Sequence, residues 1–261
     1  MSLKSFVPLV VLLLAAGLFQ SAVAQAAAAT VAAPSAAVAP SNDASAATPK
    51  TGNKRFFELH DSFLKRGKAD PIGVLFLGDS ITEGWMKAPH IWEHYFGAYQ
   101  PANFGIGGDK TQHVIWRIEN GELDGISPKV LVLMLGTNNT GENTTLEIAA
   151  ADRKIVQLIK QHLPHTKILL LAIFPRGTRK LKDGTTEPWE KKMEIIHAVN
   201  ADLAKLDDGK MIRYLDINAH FLSNDGVTIP NIIMPDQLHS NAAGYQLWAE
   251  AIKPTLDQLM K

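Results

Sequence analysis

Four short polar stretches carry side chains suited to nucleophilic chemistry. In Leu75-Phe76-Leu77-Gly78-Asp79-Ser80, an apolar run stops at a polar turn, as expected of a buried strand that delivers a serine hydroxyl to a sheet end. Serine is a weak nucleophile until a base takes its proton, and that base needs an orienting acid. Asp236 and His239 stand three apart just before the last helical pattern, close enough for one short loop to present both. His239 is the expected general base and Asp236 its orienter. Acyl transfer also needs donors aimed at a developing oxyanion. The run Gly105-Ile106-Gly107-Gly108 lets backbone N–H groups approach a ligand, and Gly108 is the expected donor there. Asn138, just past an apolar run, offers a side-chain amide, and the Ser80 N–H would be the third donor. Taken singly, each residue has a plainer reading: a helix cap for Asp236, a surface histidine for His239, turn geometry for the glycines, and a loop tie for Asn138.

Other residues carry further possibilities. Asp79 is a candidate substrate contact, with orientation of its own turn as the simpler role. Arg176 ends a strand, so substrate contact and pairing with an acid are equally open. Trp85, Trp92, Trp116 and Trp189 could form a sugar platform, although burial in the core is the better expectation. His90 and His94 are four apart, as on one face of a surface helix, and no histidine grouping has convincing metal spacing. No metal or cofactor is expected.

The elements that must position these residues alternate. Apolar, branched runs at Ile72–Leu77, Ala102–Ile106, Val130–Leu135, Lys167–Phe174 and Met211–Ile217 predict five strands. Helical patterns cover Lys54–Lys65, His90–Phe96, Thr111–Glu122 with Thr111 as N-cap, Leu146–His162, Trp189–Leu206 and Ala242–Met260. Such alternation predicts an α/β fold, a parallel sheet covered by helices on both faces. Ligands of such sheets bind beyond the carboxyl ends of the strands, where the polar stretches would converge.

Composition sets outer bounds. The 261 residues are 46% hydrophobic, enough for one domain with a sizeable core. Lys4, the apolar stretch Phe6–Phe19 and the small residues Ala22-Val23-Ala24 predict a secretory signal peptide over 1–24. Its apolar stretch is short for a bilayer span, so no stable membrane insertion is expected after cleavage. Its removal takes Lys4 and no acid, leaving 25 basic residues (26 less Lys4) against 26 acidic ones. That balance gives no electrostatic reason to expect nucleic acid as a partner. The chain has no cysteine, hence no disulfide, thiol nucleophile or lipid-bearing cysteine. Residues 25–52 are rich in Ala, Pro and Ser and predict a flexible spacer, with the domain proper at 53–261.

Taken in order, Gly78-Asp79-Ser80, the glycine run, Gly136-Thr137-Asn138 and Asp236-x-x-His239 resemble the marker blocks of the GDSL, or SGNH, hydrolase superfamily. Asn103–Asp109, His113–Arg117, Asn120–Leu123, Gly136–Asn139 and Pro175-Arg176-Gly177 are further similar to the catalytic subunits of intracellular platelet-activating-factor acetylhydrolase. The resemblance implies a three-layer α/β/α, flavodoxin-like fold with a five-stranded parallel sheet, and a metal-independent Ser-His-Asp esterase preferring short acyl groups such as acetate. It also implies a homodimer, which no stretch of this sequence decides. Departures concern the residues just after Ser80, the signal peptide, and the long polar segment Thr178–Trp189, which could reshape the substrate mouth.

The resulting expectation is an exported esterase, periplasmic or extracellular, acting on a small ester or an acetylated glycan. Two alternatives stay open. An O-acyltransferase would use the same site with a sugar hydroxyl in place of water. A non-catalytic glycan-binding module would keep the fold without turnover.

Overall fold

The computed structural model describes residues 43–181 and 183–261. The expected signal peptide, and the expected spacer as far as residue 42, lie outside the described residues. Five strands form one parallel sheet: β1 (Val74–Gly78), β2 (Pro101–Gly105), β3 (Val130–Met134), β4 (Lys167–Leu171) and β5 (Ile212–Leu215). Their order is β2-β1-β3-β4-β5. Helices are α1 (Lys54–Ala69), α2 (Ser80–Glu83), α3 (Pro89–Phe96), α4 (Thr111–Glu119), α5 (Thr145–His162), α6 (Glu190–Leu203) and α7 (Ala242–Leu259). All five predicted strands and all six predicted helices are present. The strands end earlier than their apolar runs, because Leu135 and Ala172–Phe174 continue as buried loop.

Both faces of the sheet are covered, so its inner strands are almost wholly apolar, Lys167 at the start of β4 being the one charged position. Leu75, Leu77, Leu131, Leu133 and Leu170 point into one core with Val114, Ile118, Ile155 and Val199 from α4, α5 and α6. Val74, Phe76, Val132, Met134 and Leu169 point into the other with Phe96 of α3 and Trp248, Ile252 and Leu256 of α7. Each fully buried side chain of this kind stabilises the fold by about 1.5–3 kcal/mol. Trp85 is buried in the second core, its ring centroid 4.9 Å from that of Trp248. Trp92 packs against that core, and Trp116 and Trp189 against the first, so all four tryptophans serve packing.

The strand order places a topological switch beside β1, whose neighbours β2 and β3 are reached by crossovers in opposite directions. The carboxyl end of β1 is therefore where a crevice opens, and Ser80 begins α2 at that end. Gly105 lets α2 sit against the neighbouring strand: a Cβ there would lie 2.2 Å from the Glu83 nitrogen.

Two expectations need correction. Lys110, not Thr111, occupies the N-cap position of α4, and the Thr111 hydroxyl instead donates to the Ala44 carbonyl at 2.8 Å. The stretch expected to be spacer also reaches onto the domain at its carboxyl end. Ala44 is fully buried, and Thr48 N–H donates to the Gln112 carbonyl at 3.1 Å. The Ala- and Pro-rich composition concealed this because the attachment uses backbone carbonyls, small side chains and a single lysine.

Candidate active site

Asp79 caps α2. Its Oδ1 accepts from the Ile81 N–H at 2.9 Å, which fixes the turn that presents Ser80. The Tyr245 hydroxyl, from α7, donates to the Ile81 carbonyl at 2.7 Å and ties the same turn from the far side. Asp79 is wholly buried, and burial pushes its pKa up to about 7 against the Ile81 N–H bond. It therefore has no surface toward a substrate, and it orients the nucleophile turn.

Across 159 residues of chain, Ser80 Oγ lies 2.9 Å from His239 Nε2. His239 Nδ1 lies 2.7 Å from Asp236 Oδ2. The second carboxylate oxygen, Oδ1, accepts from the backbone N–H of His239 at 2.7 Å and of Leu238 at 3.2 Å. Burial disfavours charge on Asp236, but the hydrogen bonds from the His239 ring and backbone N–H and the nearby Arg179 charge outweigh it. They hold the carboxyl well below the usual range. Asp236 is thus an anion at neutral pH. A cleft of about 390 Å³ opens beside this pair, with Lys87, Ser240 and Asn241 on its walls.

Opposite stands the glycine loop. Gly108 is exposed and has φ +71°, a conformation that glycine adopts without strain. Its N–H has no partner among the described residues. The neighbouring Gly107 N–H is taken by Glu83 Oε2 at 2.7 Å, so the loop leaves one donor free. Asn138 Nδ2 donates to the Asp109 carbonyl at 2.9 Å and lies 3.4 Å from Asp79 Oδ2. It sits at the same sheet end as Gly108 and ties the glycine loop down.

Beneath the loop is a buried charge network. Arg117 of α4 donates through Nη1 to Asp109 Oδ2 at 2.6 Å, through Nε to Glu122 Oε2 at 2.8 Å, and through Nη2 to the Phe104 carbonyl. His60 Nδ1 meets Glu122 Oε2 at 3.0 Å. Burial raises the pKa of Asp109, and the adjacent Arg117 and Lys50 work against that rise.

Arg176 is 4% exposed and pairs with Glu187, so it resolves toward an acid partner. Its Nη1 also donates to the Thr137 carbonyl at 3.2 Å, bracing the turn that carries Asn138. The polar segment after it forms a small hairpin, Arg179–Lys180 against Thr186–Glu187. Arg179 reaches from this hairpin to Asp236, donating to its carbonyl at 3.1 Å and to Oδ2 at 3.2 Å. Sequence reasoning missed Glu83, Lys50 and Arg179. Glu83 was within reach of notice, three residues after Ser80, but nothing in the order of residues links Arg179 to a loop 57 positions later.

With this geometry in view, similarity to known proteins is informative. Residues 76–247 match the family model described as GDSL-like Lipase/Acylhydrolase family. The chain belongs to that family. It is an ester-hydrolysing enzyme, and its sheet and flanking helices are those of the GDSL/SGNH fold. Platelet-activating factor acetylhydrolase IB subunit alpha2 of Rattus norvegicus is 37% identical over 210 residues, 80% of this chain and 86% of that protein. Subunit alpha1 of Homo sapiens is 36% identical over 222 residues, 84% and 91%. A GDSL-like lipase from Bacteroides thetaiotaomicron superposes with a TM-score of 0.61 at 19% identity, covering 76% of this chain and 97% of that one. Among the described residues no helix is long and apolar enough to cross a membrane.

Proposed function

We propose that this enzyme hydrolyses short-chain, acetyl-type esters of carbohydrates or other small alcohols, outside the cytoplasm, through Ser80, His239 and Asp236. The observation that carries the reading is the relay from Ser80 Oγ to His239 Nε2 at 2.9 Å and from Nδ1 to Asp236 Oδ2 at 2.7 Å. His239 Nε2 takes the Ser80 proton as Oγ attacks the ester carbonyl carbon. The carbonyl oxygen becomes an oxyanion, held by the N–H groups of Ser80 and Gly108 and by Asn138 Nδ2. His239 then returns the proton to the leaving alcohol, and an acyl-serine remains. Water repeats the sequence, giving its proton to His239, and the acid leaves as Ser80 is restored.

For Asn138 to serve the oxyanion, one amide hydrogen stays on the Asp109 carbonyl while the other gives up its long contact to Asp79 Oδ2, 3.4 Å, in favour of the substrate. The acetyl preference draws on the similarity to acetylhydrolase subunits, and the export on the Lys4–Ala24 segment.

The test is hydrolysis of p-nitrophenyl acetate and longer homologues, with Ser80→Ala as control. Turnover that falls with acyl length and drops by about 10⁵–10⁶-fold in Ser80→Ala is expected. A folded Ser80→Ala protein with undiminished turnover would refute the assignment.

A further inference from the structure

The segment 43–52 precedes the matched family region and reads in sequence as the end of a spacer, yet it ends against the glycine loop. Lys50 Nζ donates to the Gly107 carbonyl at 2.7 Å and approaches Asp109 Oδ1 to 2.7 Å. The two contacts fall on either side of Gly108. A Cβ on Gly108 would lie 3.6 Å from the same ammonium group. The lysine side chain is 12% exposed, and its Nζ lies 5.7 Å from the centre of the Phe56 ring.

The segment is held along its length. The Ala44 carbonyl accepts from Thr111 Oγ1 at 2.8 Å, and the Ser45 carbonyl from Lys154 Nζ at 3.0 Å. Thr48 N–H is bonded to α4, and the Lys50 carbonyl accepts from Asn53 N–H at 2.9 Å, the residue that caps α1. Both flanks of Lys50 are therefore fixed, and its ammonium is delivered to the loop by a short, anchored strap.

Charge gives the lysine a second task. Arg117 alone faces two carboxylates, Asp109 and Glu122. With both ionised, that trio carries a net charge of −1, and Asp109 follows Gly108 directly in the chain, next to its N–H. A negative charge there opposes an oxyanion at the same N–H. Lys50 brings the group to neutrality while holding the carbonyl before Gly108 and the carboxylate after it.

We infer that Lys50 is a positioning residue for ester hydrolysis: the 43–52 strap uses it to clamp Gly107–Asp109, aim the Gly108 N–H, and cancel the Asp109 charge beside the developing oxyanion. The inference rests on the proposed roles of Ser80 and Gly108. It makes the strap part of the catalytic domain.

The test uses the full chain with Lys50→Met, which keeps the apolar stem, and Lys50→Arg, which keeps the charge. With p-nitrophenyl acetate, Lys50→Met should lower kcat by about 10–100-fold and leave KM within about threefold, because the clamp acts on the transition state more than on the ester. Lys50→Arg should recover most of the loss. An aryl trifluoromethyl ketone, which adds to a serine as a tetrahedral oxyanion, should bind Lys50→Met more weakly by the same factor as the fall in kcat/KM. A purely structural lysine would lower the melting temperature without this proportionality. Should Lys50→Met fail to fold, Lys50→Gln takes its place, a shorter uncharged side chain that keeps polar character at the loop, and it too should lower kcat by about 10-fold or more. A folded Lys50→Met or Lys50→Gln enzyme with wild-type kcat overturns the inference. Undiminished turnover in Ser80→Ala overturns the esterase mechanism instead, so the two failures are distinguishable.

Discussion

The two sides of the site are built in contrasting ways. On the base side, Asp236 and His239 sit on one short loop with side chains 44% and 27% exposed, held mainly by bonds within that loop. Gln237 between them has φ +61°, a conformation uncommon for a residue with a side chain, and its carbonyl accepts from Gly177 N–H at 2.8 Å. On the oxyanion side, the glycine loop is fastened from below by Asp109, Arg117 and Glu122, all fully enclosed. Asn138, Glu83 and Lys50 hold it from three further elements. The difference follows from what each side must do. A base exchanges protons with solvent and leaving group, so it needs access. Donors to an oxyanion stabilise it only if already aimed, since reorienting dipoles during the reaction would cost the energy they supply.

The comparison can be broken from either side. The largest effect should come from Asp236→Asn. The amide keeps an oxygen for the two backbone N–H groups but cannot hold the imidazole in the tautomer that accepts from Ser80. kcat should fall by about 10³–10⁴-fold with the melting temperature nearly unchanged, read by ester hydrolysis and thermal unfolding. If stability collapses as well, the base loop is not the locally held unit described.

Next comes Arg117→Met, which leaves Asp109 and Glu122 buried with too little positive charge. Loss of one partner from such a network costs about 3–5 kcal/mol, and urea unfolding should show it. A loss below about 1 kcal/mol would mean that the glycine loop does not depend on the network beneath it.

Asp79→Asn tests the turn between the two sides. Burial lifts the Asp79 pKa from 3.8 to about 7, so between those values the folded protein keeps a proton that the unfolded chain releases. Wild-type stability therefore declines through this group as pH rises from about 4 to 7, and levels off above. The asparagine variant lacks that decline. Relative to wild type it should gain on the order of 2–4 kcal/mol between pH 4 and 8, read from urea midpoints at both. A difference that does not change with pH would show that Asp79 is ionised at both.

The smallest effect should be that of Arg179→Gln. Its partner Asp236 is half exposed and has nearer donors, so kcat at neutral pH should stay within about threefold. A larger drop would promote the hairpin from a brace of the base loop to an essential part of it.

Much of this architecture is legible in the sequence. Continuous apolar runs marked the inner strands because a sheet covered on both faces has no polar side. Ser80 was legible because a buried strand seldom ends in Gly-Asp-Ser without a reason, and Asp236 and His239 because three residues is a loop's reach. Arg176 stayed undecided because its acid, Glu187, lies in a hairpin without periodic pattern. The strap was misread because low-complexity composition resembles spacer whether or not its carbonyls find donors.

Sequence alone therefore determined the layer architecture and singled out Ser80, Asp236 and His239, which the fold brings within hydrogen-bond reach of one another. These depend on local pattern: apolar period, chain punctuation and short spacing. Tertiary structure decided which groups stand guard over the oxyanion side. Lys50, Glu83, Arg117 and Asn138 come from separate elements, and their charges and donors acquire meaning only when folding removes water from between them. A lysine 59 residues before Asp109 is an ordinary solvated cation in the unfolded chain; in the folded chain it stands 2.7 Å from a buried carboxylate.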